Sequence, residues 1–274
     1  MGNTDLVEAE GLHLGGSIAL CLKRVAQRGF FMKDPKDYII FPLDLPDYDQ
    51  AMVYVGLLKE HVGLFKVGLE LFISQGPAII KSIRDAGGVG VFLDLKLHDI
   101  PATVKRAFMA ASCHGPEFVT VHCDEGAGVL KSVTENNPAG TKILGITVLT
   151  SLNSENLSEL GYQDKYVNDL SKMVLLKACI ARNAGCHGVV CSGKEVSMIK
   201  RELGHDFIVV TPGIRPVWSL VQGDDQKRIV TPGDAVRKGS DYVVIGRPIR
   251  DAKHPKDAAR RVADEIASTL SGLS

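Results

Sequence analysis

Apolar residues recur along the chain in eight short runs that have the length and the Val, Ile and Phe content of β-strands. Continuous apolar runs of this kind are typical of parallel strands that are buried on both faces. The eight runs cover residues 38–43, 64–68, 89–93, 118–122, 142–149, 188–191, 207–211 and 242–245.

Segments with the spacing of amphipathic helices lie between these runs. Strict alternation of strands and helices predicts a parallel sheet with right-handed crossovers. Eight such units in 274 residues predict an α/β protein with a closed (β/α)8 barrel, the TIM-barrel fold. An open, doubly wound sheet is the alternative, but no Gly-x-Gly-x-x-Gly pattern follows the first run. The clearest helical segments are 49–60, 76–86, 103–113, 166–184, 195–203, 231–238 and 257–270.

The chain has more residues ahead of the first strand than a barrel requires. Residues 14–34 have the pattern of one amphipathic helix, which we expect to close the bottom of the barrel. We therefore predict a single-domain barrel over residues 38–274, preceded by an N-terminal helical extension over residues 1–37. The two longest loop regions, 150–164 and 212–228, follow predicted strands, where long loops usually carry function.

The composition narrows the range of partners. The 32 basic and 32 acidic residues balance, so the chain lacks the overall positive charge typical of proteins that bind nucleic acid or an acidic membrane. The six cysteines form no Cys-x-x-Cys pair and mostly lie in apolar runs, which indicates buried, reduced thiols. The acidic N-terminal segment resembles no signal peptide and no apolar stretch reaches 18 residues, so we expect a cytoplasmic protein without a membrane span.

A dense group of charges, Asp94-x-Lys96-x-x-Asp99, directly follows the third apolar run. The charges begin where that strand should end, and side chains two residues apart point to the same face of a strand. Asp94 and Lys96 should therefore lie side by side. Charges on the inner face of a strand are costly unless they are paired, and functional sites often accept that cost. A structural ion-pair network is the alternative interpretation.

The active sites of (β/α)8 enzymes lie at the carboxyl ends of the strands. Two lysines and two aspartates converge from the first three strands, a combination suited to proton transfer and electrostatic stabilisation. For Asp44 or Lys66 taken alone, a purely structural ion pair remains an equal alternative. The full set of candidates at these strand ends is Asp44, Lys66, Asp94, Lys96, His122, Thr150, Ser151, Ser192, Pro212, Gly246 and Arg247.

The last two strand ends have the composition of a phosphate site. Barrels often bind phosphate on the loops after strands seven and eight. Gly246 allows an anion to approach the backbone, and Arg247 offers a bidentate guanidinium. The preceding loop adds Gly213 and Arg215. A single arginine is usually a surface residue, but two beside Gly and Pro at adjacent strand ends favour a phosphate site.

Other polar residues carry a weaker signal. His98 lies between Lys96 and Asp99, and His122 ends the fourth run, yet capping or packing explains both equally well. No His, Asp or Glu pair has the spacing of metal ligands, so we expect neither a metal nor another cofactor.

The motifs together resemble the orotidine 5′-phosphate decarboxylase family over about residues 38–268. The resemblance implies a cofactor-free conversion of orotidine 5′-phosphate to UMP, the last step of de novo pyrimidine synthesis. The most specific match is DLKLHDIPATV at 94–104. Further matches are LD at 43–44, FKVG at 65–68, VLTS at 148–151, PGIRP at 212–216, GDDQKRIVTP at 223–232 and IGRPI at 245–249.

The resemblance also implies a role for individual residues. Lys66, Asp94, Lys96 and Asp99 would form the catalytic tetrad, in which Lys96 stabilises and protonates the carbanion. Asp99 and Thr103 would act in the site of the partner subunit, which makes the active form a homodimer with shared sites.

The implied substrate contacts divide by the part of the nucleotide. Asp44 and Lys66 would hold the ribose hydroxyls, and Thr150 or the adjacent Ser151 would bind the pyrimidine edge. The phosphate would be held by Arg215, Gln226, Gly246 and Arg247. Gln222 is the alternative to Gln226, because the segment after Arg215 is longer than is typical of the family.

Two alternatives remain open at this stage. Sugar-phosphate enzymes such as 3-keto-gulonate 6-phosphate decarboxylase and hexulose-phosphate synthase carry a similar Asp-x-Lys-x-x-Asp pattern and use Mg²⁺. Such a site needs a further carboxylate, for which Glu70 is the nearby candidate. The other alternative is a nucleotide-binding barrel without catalysis.

Overall fold

The computed structural model describes residues 33–87, 89–219 and 230–273. Eight parallel strands pair there in chain order, and the eighth pairs with the first to close a barrel. The predicted (β/α)8 barrel is therefore confirmed. The strands are β1 (Ile39–Pro42), β2 (Leu64–Val67), β3 (Gly90–Leu97), β4 (Phe118–His122), β5 (Lys142–Ile146), β6 (Gly188–Val190), β7 (Ile208–Thr211) and β8 (Tyr242–Val244).

Helices connect the strands around the barrel. All seven predicted segments contain a helix, and the helices over residues 69–75, 127–134, 154–159 and 247–250 are additional. Short 3-10 helices cover Pro35–Tyr38 and Val217–Ser219. The α-helices are α1 (Tyr48–Leu58), α2 (Leu69–Gln75), α3 (Ala78–Gly87), α4 (Pro101–Ser112), α5 (Ala127–Thr134), α6 (Ser154–Glu159), α7 (Asp164–Val167), α8 (Leu170–Asn183), α9 (Val196–Leu203), α10 (Pro232–Arg237), α11 (Arg247–Arg250) and α12 (Pro255–Ser271).

Inward-facing side chains from the strands fill the middle of the barrel. Leu64, Phe92 and Phe118 belong to an apolar layer on the inner face of β2, β3 and β4. Because side chains two residues apart share a face of a strand, the inward positions directly above them are Lys66, Asp94 and Thr120. The barrel core thus ends in a polar layer at the carboxyl ends of these strands. The apolar layer below it contains Ile40, Leu64, Phe92, Phe118, Leu144 and Val210.

The third strand differs from the expectation. The apolar run predicted an end at Leu93, but β3 continues through both charged residues to Leu97, so that prediction is wrong. An apolar run marks the part of a strand that packs in the core, whereas the paired charges of β3 continue the strand above the core. For β5 the apolar run is longer than the strand: the run predicted an end at Leu149, but β5 ends at Ile146.

Several predictions concern residues outside those described. The helix predicted over 14–34 lies almost wholly outside the described residues, and the division at residue 37 stays a prediction. The barrel belongs to the compact unit Asp34–Ser274.

The five cysteines in the described ranges are free, and three of them are buried. No helix in the described ranges is long and apolar enough to cross a membrane. The cytoplasmic location stays a prediction.

Candidate active site

Four charged side chains meet at the carboxyl ends of the first three strands. Lys96 Nζ lies 2.7 Å from Asp94 Oδ2, and Lys66 Nζ lies 2.9 Å from Asp44 Oδ1. The two pairs are linked because Lys66 Nζ is also 3.8 Å from Asp94 Oδ2. We call Asp44, Lys66, Asp94 and Lys96 the cavity cluster. Opposite charges alternate through it, so each side chain is held in place by its neighbours.

A bulge in β3 contains both Asp94 and Lys96. Leu93 pairs with Val119 and Leu97 with Val121, so three residues of β3 lie opposite one residue of β4. Lys96 has a φ of 50°, and it is the non-glycine residue with positive φ among the residues described. A conformation of this kind costs on the order of 1–3 kcal/mol, and it persists where surrounding contacts enforce it. The strain therefore lies on the lysine beside Asp94.

The residue of β4 opposite this bulge is Thr120, which is fully buried. Its hydroxyl accepts a hydrogen bond from the Lys96 N–H at 2.8 Å and donates one to Asp94 Oδ1 at 3.0 Å. Sequence reasoning assigned no role to Thr120, because a threonine inside an apolar run is typical of any strand.

Two glycines provide space at the ends of the site. A Cβ at Gly68 would lie 2.9 Å from Lys66 Nζ and 3.3 Å from Asp44 Oδ1, so a side chain there would disturb that ion pair. A Cβ at Gly246 would lie 2.9 Å from Pro42 Cγ, which explains why β8 can end close to β1. Gly68 falls inside a motif quoted above, but its role is visible only in the structure.

A mostly apolar cavity of about 200 Å³, here called the inner cavity, opens beside the cavity cluster. Thr150 and Ser151 are both exposed, but only Thr150 is among the lining residues. Burial raises the pKa of the Cys191 thiol, so this lining group is neutral. The lining residues are Lys66, Phe92, Asp94, Lys96, Ile146, Val148, Leu149, Thr150, Val190, Cys191, Pro212 and Val244.

A second cavity of about 260 Å³, the outer cavity, adjoins the first. The two share Lys66, Pro212 and Val244 as lining residues. Of the predicted phosphate residues, Arg215, Gly246 and Arg247 thus lie next to the cavity cluster. The lining residues are Pro42, Asp44, Lys66, Pro212, Gly213, Ile214, Arg215, Val244, Gly246, Arg247, Pro248 and Arg250.

Arg250 is a lining residue that sequence reasoning missed. It lies at the end of α11, three positions after Arg247, a spacing that places two helical side chains near each other. Its guanidinium pairs with Asp251 at 2.6 Å and donates to the Asp44 carbonyl at 3.3 Å. The helical spacing was the signal that could have identified it.

Two predicted site residues lie apart from both cavities. Asp99 is exposed, and its carboxylate accepts a hydrogen bond from the Ile100 N–H at 2.6 Å. Thr103 lies on α4 and is half-buried. Neither residue lines the inner or the outer cavity. Ile100, the apolar residue beside Asp99, is 66% exposed.

A further group of ionisable side chains lies around the end of β4 and is called the β4 cluster. Its members are His98, His122, Asp124, Glu125 and Lys177. His122 Nδ1 lies 2.7 Å from Asp124 Oδ2, and Lys177 pairs with the same carboxylate. Burial by itself raises the pKa of Asp124, but hydrogen bonds from His122 and Lys177 more than offset this, so the pKa falls to about 2. His98 stacks on His122 with ring centroids 4.9 Å apart and pairs with Glu125. None of these five residues lines either cavity.

Three further predicted positions are Ser192 and the two glutamines after Arg215. Gln222 and Gln226 lie outside the described residues, so the choice between them stays open. The Ser192 hydroxyl accepts a hydrogen bond from the Lys194 N–H at 3.3 Å and faces neither cavity. In the ranges that the structure describes, no three His, Cys, Asp or Glu side chains are grouped to hold a metal ion.

The fold and the site define a class of protein: a (β/α)8-barrel enzyme with a paired Lys–Asp cluster beside an arginine-lined cavity. Residues 37–262 match the sequence profile described as the orotidine 5′-phosphate decarboxylase / HUMPS family. This match covers most of the chain, and the chain belongs to that family. The resemblance inferred from the motifs is therefore confirmed.

Individual relatives agree with this assignment. The orotidine 5′-phosphate decarboxylase of Desulfosudis oleivorans is 47% identical over 237 residues, which cover 86% of this chain and 95% of the relative. The enzyme of the same name from Geobacter sp. strain M21 is 43% identical over 237 residues, which cover 84% and 96%. The crystal structure of orotidine 5′-phosphate decarboxylase from Lactobacillus acidophilus matches with a TM-score of 0.71 and 35% identity over 83% of this chain and 98% of that one.

Proposed function

We propose that this protein decarboxylates orotidine 5′-phosphate to UMP without a cofactor. The observation that carries the proposal is that two cavities share lining residues, one beside a paired Lys–Asp cluster and the other lined by three arginines. Membership in the family and the printed names of the relatives support the same reaction.

Each part of this substrate has a matching part of the site. The apolar walls of the inner cavity suit the pyrimidine, with Thr150 as a hydrogen-bonding group at its edge. The outer cavity suits the phosphate, which Arg215 and Arg247 can bind through charge-assisted hydrogen bonds. Lys66 lines both cavities and its partner Asp44 lines the outer one, which suits residues that hold the ribose between pyrimidine and phosphate.

The chemical step assigns a task to each charge of the inner cavity. The bond between C6 and the carboxyl carbon breaks, CO₂ leaves, and the electron pair stays on C6. The Lys96 ammonium stabilises that charge and then transfers a proton to C6, after which its amine recovers a proton from water. Asp94 holds the ammonium in place, and its negative charge repels the substrate carboxylate until CO₂ departs. Lys66 lies 3.8 Å from the same Asp94 oxygen and adds a second positive charge beside it.

The fourth member of the tetrad would come from a second subunit. Asp99 and Thr103 lie apart from the cavities of their own chain, and the exposed Ile100 beside them is suited to an apolar contact. We therefore propose a homodimer in which Asp99 completes the Lys–Asp tetrad of the partner subunit.

The sugar-phosphate alternative requires a divalent metal. Glu70, its candidate extra carboxylate, is exposed on α2 and lines neither cavity, which favours the nucleotide reaction. The test follows the loss of orotidine 5′-phosphate absorbance in buffer with EDTA and no added metal. We expect full turnover. Turnover that stops in EDTA and returns with Mg²⁺, or reaction with 3-keto-gulonate 6-phosphate instead, would contradict the proposal.

A further inference from the structure

Thr120 connects the two residues of β3 that the chemistry uses. It is fully buried on β4, in the inward-facing layer directly above Phe118. The bulge places the segment between Leu93 and Leu97 opposite this one residue, so the regular ladder of strand hydrogen bonds is interrupted there.

The hydroxyl takes the place of the interrupted ladder. It accepts the Lys96 N–H at 2.8 Å, a backbone donor at the residue whose φ is 50°. A threonine or serine hydroxyl can accept and donate at the same oxygen, which an aliphatic side chain of equal shape cannot do. The contact therefore fixes the left-handed backbone that carries the Lys96 ammonium.

The same hydroxyl also orients the carboxylate. It donates to Asp94 Oδ1 at 3.0 Å, while the other oxygen, Oδ2, faces Lys96 at 2.7 Å and Lys66 at 3.8 Å. With one oxygen held by Thr120, the carboxylate plane is fixed and Oδ2 is directed at the two ammonium groups. Asp94 is only 8% exposed, so few water molecules can replace this donor.

We propose that Thr120 is a positioning residue for the decarboxylation: its single hydroxyl sets both the carboxylate plane of Asp94 and the backbone of Lys96. This inference rests on the proposed function and goes beyond it, because Thr120 lines neither cavity and acts through its two neighbours. Fixed hydrogen-bond partners behind a catalytic group keep it within the narrow range of geometries that reaction requires.

The test compares Thr120→Val, which keeps the shape but removes the hydroxyl, with Thr120→Ser, which keeps the hydroxyl. Thr211→Val is the matched control, since Thr211 is also fully buried on a strand and its hydroxyl bonds to Ser240 at 2.7 Å. We measure kcat and KM for orotidine 5′-phosphate, the dissociation constant of UMP by calorimetry, and the thermal midpoint of each variant.

We expect Thr120→Val to lower kcat by about 10- to 100-fold, the usual effect of removing a group that orients a reacting residue. Its KM and UMP affinity should change by less than about threefold, because Thr120 touches neither cavity. Thr120→Ser should recover most of the kcat, and Thr211→Val should lower the thermal midpoint with kcat unchanged.

Two results would overturn the inference: Thr120→Val with the kcat of the parent protein, or a loss of kcat that Thr120→Ser does not recover. If the valine variant does not fold, Thr120→Cys replaces it, because a thiol is close in size to the serine hydroxyl and a much weaker hydrogen-bonding group. Equal kcat for the Ser and Cys variants would then contradict the inference. An inactive parent protein would contradict the proposed function instead, so the two failures are distinguishable.

Discussion

The cavity cluster and the β4 cluster have similar ingredients but different surroundings. Each joins acidic and basic side chains at the carboxyl end of the barrel, and each contains a lysine whose side chain is mostly buried. The cavity cluster lines the two cavities, whereas the β4 cluster lines neither. Alternating charges at a strand end therefore do not by themselves mark an active site. The difference between the two clusters is that the cavity cluster lines open space, whereas the β4 cluster does not.

A loss of most of the activity is expected for either aspartate of the Asp94-x-Lys96-x-x-Asp99 motif, of which only Asp94 belongs to the cavity cluster. Asp94→Asn and Asp99→Asn should each lower kcat by about 10³-fold or more, since each removes a charge that the proposed site requires. A one-to-one mixture should recover activity, because half of the dimers are hybrids and one of the two sites in each hybrid is intact. Free exchange of subunits predicts about one quarter of the parent activity.

The control for this recovery is a mixture of Asp94→Asn with Lys96→Ala. Both residues belong to the same subunit's site, so every hybrid site lacks one of them and no activity should return. Failure of the first mixture to recover, although subunit exchange is demonstrated with a tagged chain, would contradict the shared site.

A smaller effect is expected at the arginines of the outer cavity. Arg247→Ala should lower kcat/KM by about 10- to 100-fold, chiefly by raising KM, because a charge-assisted hydrogen bond to phosphate contributes roughly 1.5–3 kcal/mol. Steady-state kinetics give the two constants separately. The control is Arg237→Ala, an exposed arginine on α10 that pairs with Asp234. A normal KM for the Arg247 variant would place the phosphate elsewhere.

The smallest effect on activity is expected in the β4 cluster. Lys177→Met should leave kcat unchanged and lower the free energy of unfolding, because Asp124 then loses its buried ammonium partner. Reduced kcat with unchanged UMP binding would show that the β4 cluster takes part in the reaction after all. Chemical denaturation and steady-state kinetics of the same preparation provide both numbers.

The acid dependence of stability sharpens this test. The folded pKa of Asp124 is about 2, below its ordinary value of 3.8, so the ionised carboxylate stabilises the fold above pH 4. That contribution is lost as pH falls from about 4 to 2, and solvent screening limits it to about 1 kcal/mol. Lys177→Met removes one of the partners that depress the pKa, so stability should decline less steeply over this interval. An unchanged slope would contradict the assigned cause.

The sequence predicted most of the fold because each strand of the barrel core is a continuous apolar run. The same rule misplaced the end of β3, since it detects burial and not the polar layer above the core. The rule for alternate side chains placed Asp94 and Lys96 together, yet the bulge that joins them has no signature of its own. Thr120 was missed because its residue type is common in any strand.

A cavity-lining residue was predictable from the sequence where a charged residue lies at the end of a predicted strand, as at Lys66 and Arg247. The choice of Thr150 over Ser151 as a lining residue required the course of the backbone after β5. Arg250 depended on a helix, α11, that the apolar pattern does not reveal. Assignment of Asp99 to a partner subunit rests on the resemblance and stays a prediction.

The central claim is that Lys96 performs the chemistry of the inner cavity. It is tested most directly by the turnover of orotidine 5′-phosphate by Lys96→Ala, with Lys177→Ala as the lysine control from the β4 cluster and UMP affinity as the measure of an intact site. We predict that Lys96→Ala loses at least about 10⁴-fold in kcat, while Lys177→Ala turns over normally and both bind UMP. Lys96→Ala that retains a tenth of the parent kcat would contradict the account.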